Sequence, residues 1–239
     1  MKRLFAILLV LAAAWSPLPP AHAWQPLTIG TTVAPPLSMP DSNGMLDRLL
    51  REAFLRIGIG VQFVTLPSER SLAEANSGGI DGDNNRIAGL ARNYPELIQV
   101  PESNMVYEFT AFALDPSVVV NDWESLAKYS VGYIQGWKIL DENVKAVELT
   151  KVATPQQLFS LLKAKRVDVI IYERFGGEHF IQELDVQGAR VLQPPLARRE
   201  MFLYLNRKHA PVVEYLAKAL RDMKADGSYQ AVFGKASTR

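Results

Sequence analysis

Few residues of this chain are suited to chemistry, and the most suggestive is Glu173, which ends the strand-like run Val167-Asp168-Val169-Ile170-Ile171-Tyr172. A carboxylate at the C-terminal edge of a parallel strand faces the crevice where α/β sheets hold ligands. The same residue precedes a helical pattern, so an N-cap role stands beside the binding one. Two cations, Arg86 and Arg92, follow the segment Ile80-Asp81-Gly82-Asp83. A planar guanidinium meets a carboxylate through two parallel charge-assisted hydrogen bonds, and the alternative for each arginine is an ordinary solvated charge. Gly136 and Trp137 stand where a strand gives way to a helix. Their backbone N–H groups could face an anionic part of a ligand, while the Trp137 ring could stack on that ligand or simply fill the core.

Other chemistries find no residues to carry them. His22, His179 and His209 form no pair at metal-ligand spacing and there is no cysteine, so neither a metal nor another cofactor is expected. There is no G-x-S-x-G elbow and no phosphate-binding P-loop, and Gly58-Ile59-Gly60 lacks the third glycine of a dinucleotide fingerprint. Lys and Arg number 26 against 25 Asp and Glu, and setting aside Lys2 and Arg3 leaves 24 against 25, a net charge near −1. That balance argues against nucleic acid or a polybasic membrane surface as partner.

The elements that must position these residues follow an N-terminal segment of different character. Lys2 and Arg3 precede the apolar run from Leu4 to Trp15, and a Pro-broken stretch then ends in Ala21-His22-Ala23. This is the layout of a cleavable export signal over residues 1–23, its apolar run too short to span a bilayer, with Trp24 as the first mature residue. Export without a lipid-modifiable cysteine implies a soluble protein in the periplasm.

From Leu27 the chain alternates strand and helix. Leu27 to Val33 reads as a strand stopped by Pro35-Pro36, and Leu46, Leu49, Leu50, Ala53, Phe54 and Ile57 fall at helical spacing before Gly58. Val61 to Val64 is a short strand, and Ser68 can cap a helix that ends at Ser77-Gly78-Gly79. A second series begins at Ser130-Val131-Gly132-Tyr133-Ile134. Its Thr154, Pro155 and Gln157 are a capping box with proline in the first turn, ahead of Leu158, Leu161 and Leu162. Two long strand-forming runs, Phe109 to Leu114 and Met201 to Leu205, could carry the chain between lobes.

In order along the chain, five pieces resemble the family 3 extracellular solute-binding proteins, the amino-acid-type components of ABC importers. They are Thr28-Ile29-Gly30 before the Pro-Pro loop, Ser77-Gly78-Gly79-Ile80-Asp81, Val131-Gly132-Tyr133-Ile134-Gln135-Gly136, Leu161 to Ile170, and Met223 to Tyr229. The resemblance implies a two-lobed α/β periplasmic-binding fold with two crossover hinge strands. Residues 24–110 and 202–239 would form lobe one and 111–201 lobe two, after the 1–23 signal. It also implies that Glu173, five residues beyond Asp168, pairs with a ligand ammonium, and that Arg86 or Arg92 grips a ligand carboxylate; the choice between them stays open. Family members usually place aromatic rings near Val33 and Ser68, and this chain has neither. Arg70 is then a candidate to reach the cleft, with Glu69 or solvent as the simpler partner, and an ordinary L-amino acid is not the required ligand.

The expected function is capture of a small polar, carboxylate-bearing molecule for an ABC permease, by a monomer that performs no chemistry. Two alternatives share the scaffold. One is an enzyme resembling cyclohexadienyl or arogenate dehydratases, with Glu173 as proton donor. The other is a periplasmic sensor subunit serving a membrane kinase or cyclase.

Overall fold

The computed structural model describes residues 25–233 except Val33, and the backbone alone of Lys138. The segment 1–23 expected to be an export signal, Trp24 and the last six residues lie outside the described part. The first half comprises β1 (Leu27–Thr31), α1 (Met45–Arg56), β2 (Val61–Thr65), α2 (Ser68–Ser77), β3 (Gly82–Ile87) and β4 (Leu97–Gln99). A long strand, β5 (Met105–Ala113), leads to β6 (Ser130–Ile134), α3 (Lys138–Asn143), β7 (Glu148–Val152), α4 (Pro155–Lys163), β8 (Val169–Glu173), α5 (Arg174–Glu183) and β9 (Arg190–Val191). The return strand β10 (Ala197–Asn206) is followed by α6 (Ala210–Asp226) and α7 (Ser228–Phe233).

The main path of the sheet runs β2-β1-β3-β10-β5-β8-β6-β7. β1 is parallel to β2 and β3, and β6 is parallel to β7 and β8. Each half thus repeats one order, three parallel strands closed by an antiparallel one. The halves meet where Met105–Phe109 of β5 pairs antiparallel with Ala197–Met201 of β10. Beyond that stretch, β5 pairs with β8 from Phe109 onward and β10 with β3 from Met201 onward. The crossing itself therefore falls earlier on both strands than the apolar runs suggest, because Tyr107, Glu108, Arg198 and Arg199 are polar strand residues. This is a two-lobed α/β fold, as expected.

Local sequence explains the elements that frame the lobe edges. The α1 residues Leu46, Leu49, Leu50, Ala53 and Phe54 are buried at helical spacing and pack against Leu216, Leu220 and Met223 of α6. Burying each such side chain contributes about 1.5–3 kcal/mol. At the start of α4, Thr154 Oγ1 accepts from Gln157 N at 3.3 Å while Gln157 Oε1 accepts from Thr154 N at 3.3 Å, the expected reciprocal cap. The second half has separate apolar clusters, one around Val131, Tyr133 and Ile171 and one around Phe159, Ile170 and Phe180. Tyr107 packs against the core of the first half and also against the second.

Candidate functional site

β8 delivers Glu173 to the C-terminal edge of the second half, in register with Phe109 of the crossing strand. Glu173 is only 3% exposed. Its Oε1 accepts from Phe175 N at 2.9 Å and its Oε2 from Gly176 N at 2.8 Å, so it caps α5. The cap alternative to ligand binding is therefore real, and the two roles are compatible because each carboxylate oxygen has a further lone pair. Burial pushes the Glu173 carboxyl up to about 7, against the pull of the two backbone N–H groups and with added repulsion from Glu178 and Glu108.

The opposing edge lies close by. A Cβ on Gly176 would stand 3.4 Å from the Pro35 carbonyl oxygen in the turn after β1, and 2.6 Å from the Tyr172 ring. Glycine is needed there for this close approach. The Phe175 ring lies 6.1 Å from that of Phe233 and packs against the core of the first half. The carboxyl ends of β1 and β8 thus face one another, which is where open α/β sheets bind ligands.

Arg86 is spent on a neighbour. β3 carries Asp83, fully buried, into the middle of the first half-sheet. Arg86 Nε donates to Asp83 Oδ2 at 2.9 Å, Nη1 to Ser68 Oγ at 2.6 Å and Nη2 to the Ser68 carbonyl at 3.1 Å. Nη2 also lies 2.9 Å from Asp83 Oδ2. Ser71 Oγ donates to Asp83 Oδ1 at 3.1 Å. Burial raises the Asp83 carboxyl above its ordinary value although Arg86 and Ser71 oppose the shift. Four of the five guanidinium N–H groups therefore have partners, leaving no parallel pair for a ligand carboxylate. Ser68, expected as the cap of α2, is its first residue, and its hydroxyl oxygen accepts from Arg86 instead. The same polar packing requires Gly30, where a Cβ would meet Ser71 Oγ at 2.0 Å.

Tyr107 of β5 feels the charges of both Glu173 and Arg86, and its hydroxyl accepts from Asn85 Nδ2 at 2.6 Å. Burial, then the negative charge of Glu173, holds the Tyr107 phenol well above its ordinary value. Asn104 Nδ2 donates to Asn84 Oδ1 at 2.8 Å. Asn84 Nδ2, Asn85 Oδ1 and Asn104 Oδ1 are buried and have no partner among the described residues. Each such atom costs about 1–3 kcal/mol unless something pairs with it. Sequence reading misses Asp83 and these three asparagines, although the Asp83-Asn84-Asn85-Arg86 run within a strand is itself a signal: strands bury alternate residues, and buried polar groups need partners.

Trp137 stacks on Tyr172 with ring centroids 5.0 Å apart and meets Phe109 edge-on at 5.7 Å. It is half-buried, which fits both core packing and a remaining exposed face. Gly136 has a φ of +86°, and a Cβ placed on it would have no described atom within 4 Å, so it supplies a left-handed turn in open space. The helix it precedes, α3, has six residues and offers little dipole. Arg92 is exposed in the single-turn helix Leu90–Arg92, and among the described residues no hydrogen bond or ion pair joins it to Glu173, Arg86 or Trp137. Arg70 is exposed on α2, with Glu74 at 3.8 Å. Glu108, on the crossing strand, holds Arg174 at 3.1 Å and Arg198 of β10 at 2.6 Å, linking both crossing strands to the start of α5. Among the described residues no cluster of three His, Cys, Asp or Glu could hold a metal, and no helix is long and apolar enough to cross a membrane.

These halves and this edge define the periplasmic-binding-protein-like fold. The GluR0 ligand-binding core in complex with L-glutamate superposes with a TM-score of 0.77 at 10% identity, over 89% of this chain and 98% of that one. A histidine kinase sensor domain with similarity to periplasmic binding proteins gives 0.72 at 17% identity, over 90% and 97%. An ancestral arginine-binding protein bound to arginine gives 0.71 at 18% identity, over 90% and 99%. In sequence, an uncharacterised protein of Shewanella oneidensis is 25% identical over 187 residues, 74% of this chain and 70% of that protein. No protein-family model matches the chain.

Proposed function

We propose that the protein is an exported solute-binding protein that closes its two halves over a small polar ligand and performs no chemistry on it. The observation that carries this reading is the topology: two antiparallel strands, β5 and β10, link half-sheets with separate cores, and a buried carboxylate sits where their carboxyl ends meet. Such a link flexes about few residues, the arrangement that hinge closure uses. Glu173 is the ligand-facing acid, Arg86 serves the site by neutralising Asp83, and the exposed Trp137 face borders the ligand. The protein acts in the periplasm as a monomer and hands its closed state to a membrane partner, an ABC permease or a sensor kinase; the likeness to a kinase sensor domain supports keeping both.

A thermal-shift screen across amino acids, amides, polyamines and small organic acids tests the reading. Ligand at about 100 times Kd adds roughly 2.7 kcal/mol to apparent stability. If no compound moves the melting temperature, the reading fails. One observation favours a second reading: a carboxyl held at about 7 suits a general acid. Conversion of prephenate or arogenate to an aromatic product by the pure protein would establish that enzyme and displace the binding role.

A further inference from the structure

Resting on the reading that the two halves close on one another, we infer that Phe175 is a latch, an apolar contact between the halves that holds the ligand-free molecule in its closed arrangement. Phe175 belongs to the first turn of α5, and α5 is otherwise an element of the second half: its Phe180 is buried with Phe159 and Ile170, and its Gly177 lies against Phe112. The Phe175 ring leaves that setting. It packs against the core of the first half and, among the described residues, against neither apolar cluster of its own half. Its centroid is 6.1 Å from that of Phe233 in α7, and Phe233, itself 3% exposed, lies 4.8 Å from the Tyr229 ring. The seat for the ring is thus part of the same apolar cluster that joins α1 to α6.

The chain neighbours of Phe175 hold the ring in that direction. Glu173 accepts from Phe175 N and Gly176 N, which fixes the turn that aims it. Arg174 Nη1 lies 3.1 Å from Glu108, a crossing-strand residue that also holds Arg198 of β10 at 2.6 Å. Gly176 approaches the Pro35 carbonyl so closely that a Cβ would stand 3.4 Å from its oxygen. Residues 173–176 therefore touch in succession the proposed ligand site, the crossing strands, the first-half core and the turn after β1. Parting the halves draws the Phe175 ring out of its seat and into water, whereas Arg174, tied to the crossing strands themselves, stays paired. The apolar contact thus opposes opening whether or not a ligand is present. A half-buried phenyl ring contributes about half of what full burial of a Phe side chain does, enough to move a two-state ratio about tenfold.

The test is the distance between the halves in the absence of ligand. The chain has no cysteine, so Ala91→Cys in the first half and Gln156→Cys in the second, both at exposed positions, give unique sites for spin labels and pulsed dipolar spectroscopy. The expected result is a predominant short distance in the ligand-free mature protein, which Phe175→Ala transfers to a longer one, lowering the closed-to-open ratio about tenfold. Phe180→Leu, a loss of packing inside the second half, should lower the melting temperature and leave the distances unchanged, which separates a latch from general destabilisation. Should Phe175→Ala fail to fold, Phe175→Leu carries the same test with a smaller shift. A long distance in the ligand-free wild type, the same distribution in wild type and Phe175 variant, or an equal shift in Phe180→Leu overturns the latch. If a compound that raises the melting temperature in the thermal screen still moves the wild-type distances, the closure reading stands and the latch alone is lost; if none moves them, both fall.

Discussion

Replacing Glu173 with glutamine keeps the shape of the side chain and removes its charge, so it isolates the electrostatic state of the buried carboxyl. In the folded protein that carboxyl titrates at about 7, against an ordinary value of 4.5. The sign follows directly: between these values the folded state holds a proton that the unfolded chain has released, so stability falls as pH rises from about 4.5 to 7 and levels off above. At about 1.4 kcal/mol per unit, the fall amounts to roughly 3 kcal/mol. Glutamine has no such proton, but it can accept only through its carbonyl oxygen, so one of the bonds from Phe175 N and Gly176 N weakens. That cost, about 1 kcal/mol, does not change with pH. Glu173→Gln should therefore be less stable than wild type by about 1 kcal/mol near pH 4 and more stable by about 2 kcal/mol near pH 8. Urea unfolding of both proteins across this range reads the difference, which corresponds to a melting shift of about 2–4 °C per kcal/mol for a chain of this size. Parallel stability curves, or a variant weaker at every pH, would refute the argument that burial rather than the two backbone donors governs Glu173. In the same samples, ligand affinity falling more than about tenfold in the variant reports the binding role independently of the cap.

Three further outcomes follow from particular contacts. Asp81 is opposed by burial, yet the bonds it accepts from Thr28 N, Lys208 and His209 leave its carboxyl below the ordinary value, so it stabilises the fold above about pH 4 and that contribution is lost as pH falls further. Asp81→Asn should cost about 1–2 kcal/mol at pH 7 and progressively less as pH falls below about 4, measured by urea unfolding across this range. Gly177→Ala would place a Cβ 2.0 Å from the buried Phe112 ring, and overpacking of this kind should lower stability by about 1–3 kcal/mol in a thermal melt. Arg86→Met should cost about 3–5 kcal/mol by leaving Asp83 buried and unpaired, and adding Asp83→Asn should recover most of it; ligand affinity in the double variant should stay within about threefold of wild type, and a larger loss shows that Arg86 touches ligand.

The elements legible in the sequence are those whose signal is local. The apolar stripe of α1, the Thr154-Pro155-Gln157 start of α4 and the apolar run of β8 each state their structure within a few residues. Glu173 is legible for the same reason, as the acid where a buried strand stops. β3 is not, because Gly82-Asp83-Asn84-Asn85-Arg86-Ile87 has no apolar alternation. Its polar side chains are buried by virtue of partners distant in sequence, Ser71 for Asp83 and Asn104 for Asn84, and no window of a few residues contains both members of such a pair. Arg86 reads as a ligand grip on type and position alone; which group neutralises it depends on the fold bringing Ser68 and Asp83 to the same place.

The two buried acids of this region are accommodated in different ways, and the difference bears on what each half contributes. Asp83 has a full cationic partner in Arg86, so its charge is answered inside the protein, and its neighbours in the first half are buried amides and a phenol hydroxyl, all neutral. Glu173 has no cation in contact among the described residues, only two backbone N–H groups at the end of a helix, while Arg174 beside it is drawn away to Glu108 and Glu178. A buried carboxylate so placed remains short of positive charge, which is why its proton is held up to about 7. A ligand amine entering between the halves would supply that charge, displace the proton and thereby favour the closed arrangement over the open one. By linkage, binding should then release close to one proton per ligand near pH 6 and almost none near pH 8, where Glu173 is already ionised; calorimetric titration in buffers of different ionisation enthalpy counts those protons, and a release near zero at both pH values would refute an amine at Glu173.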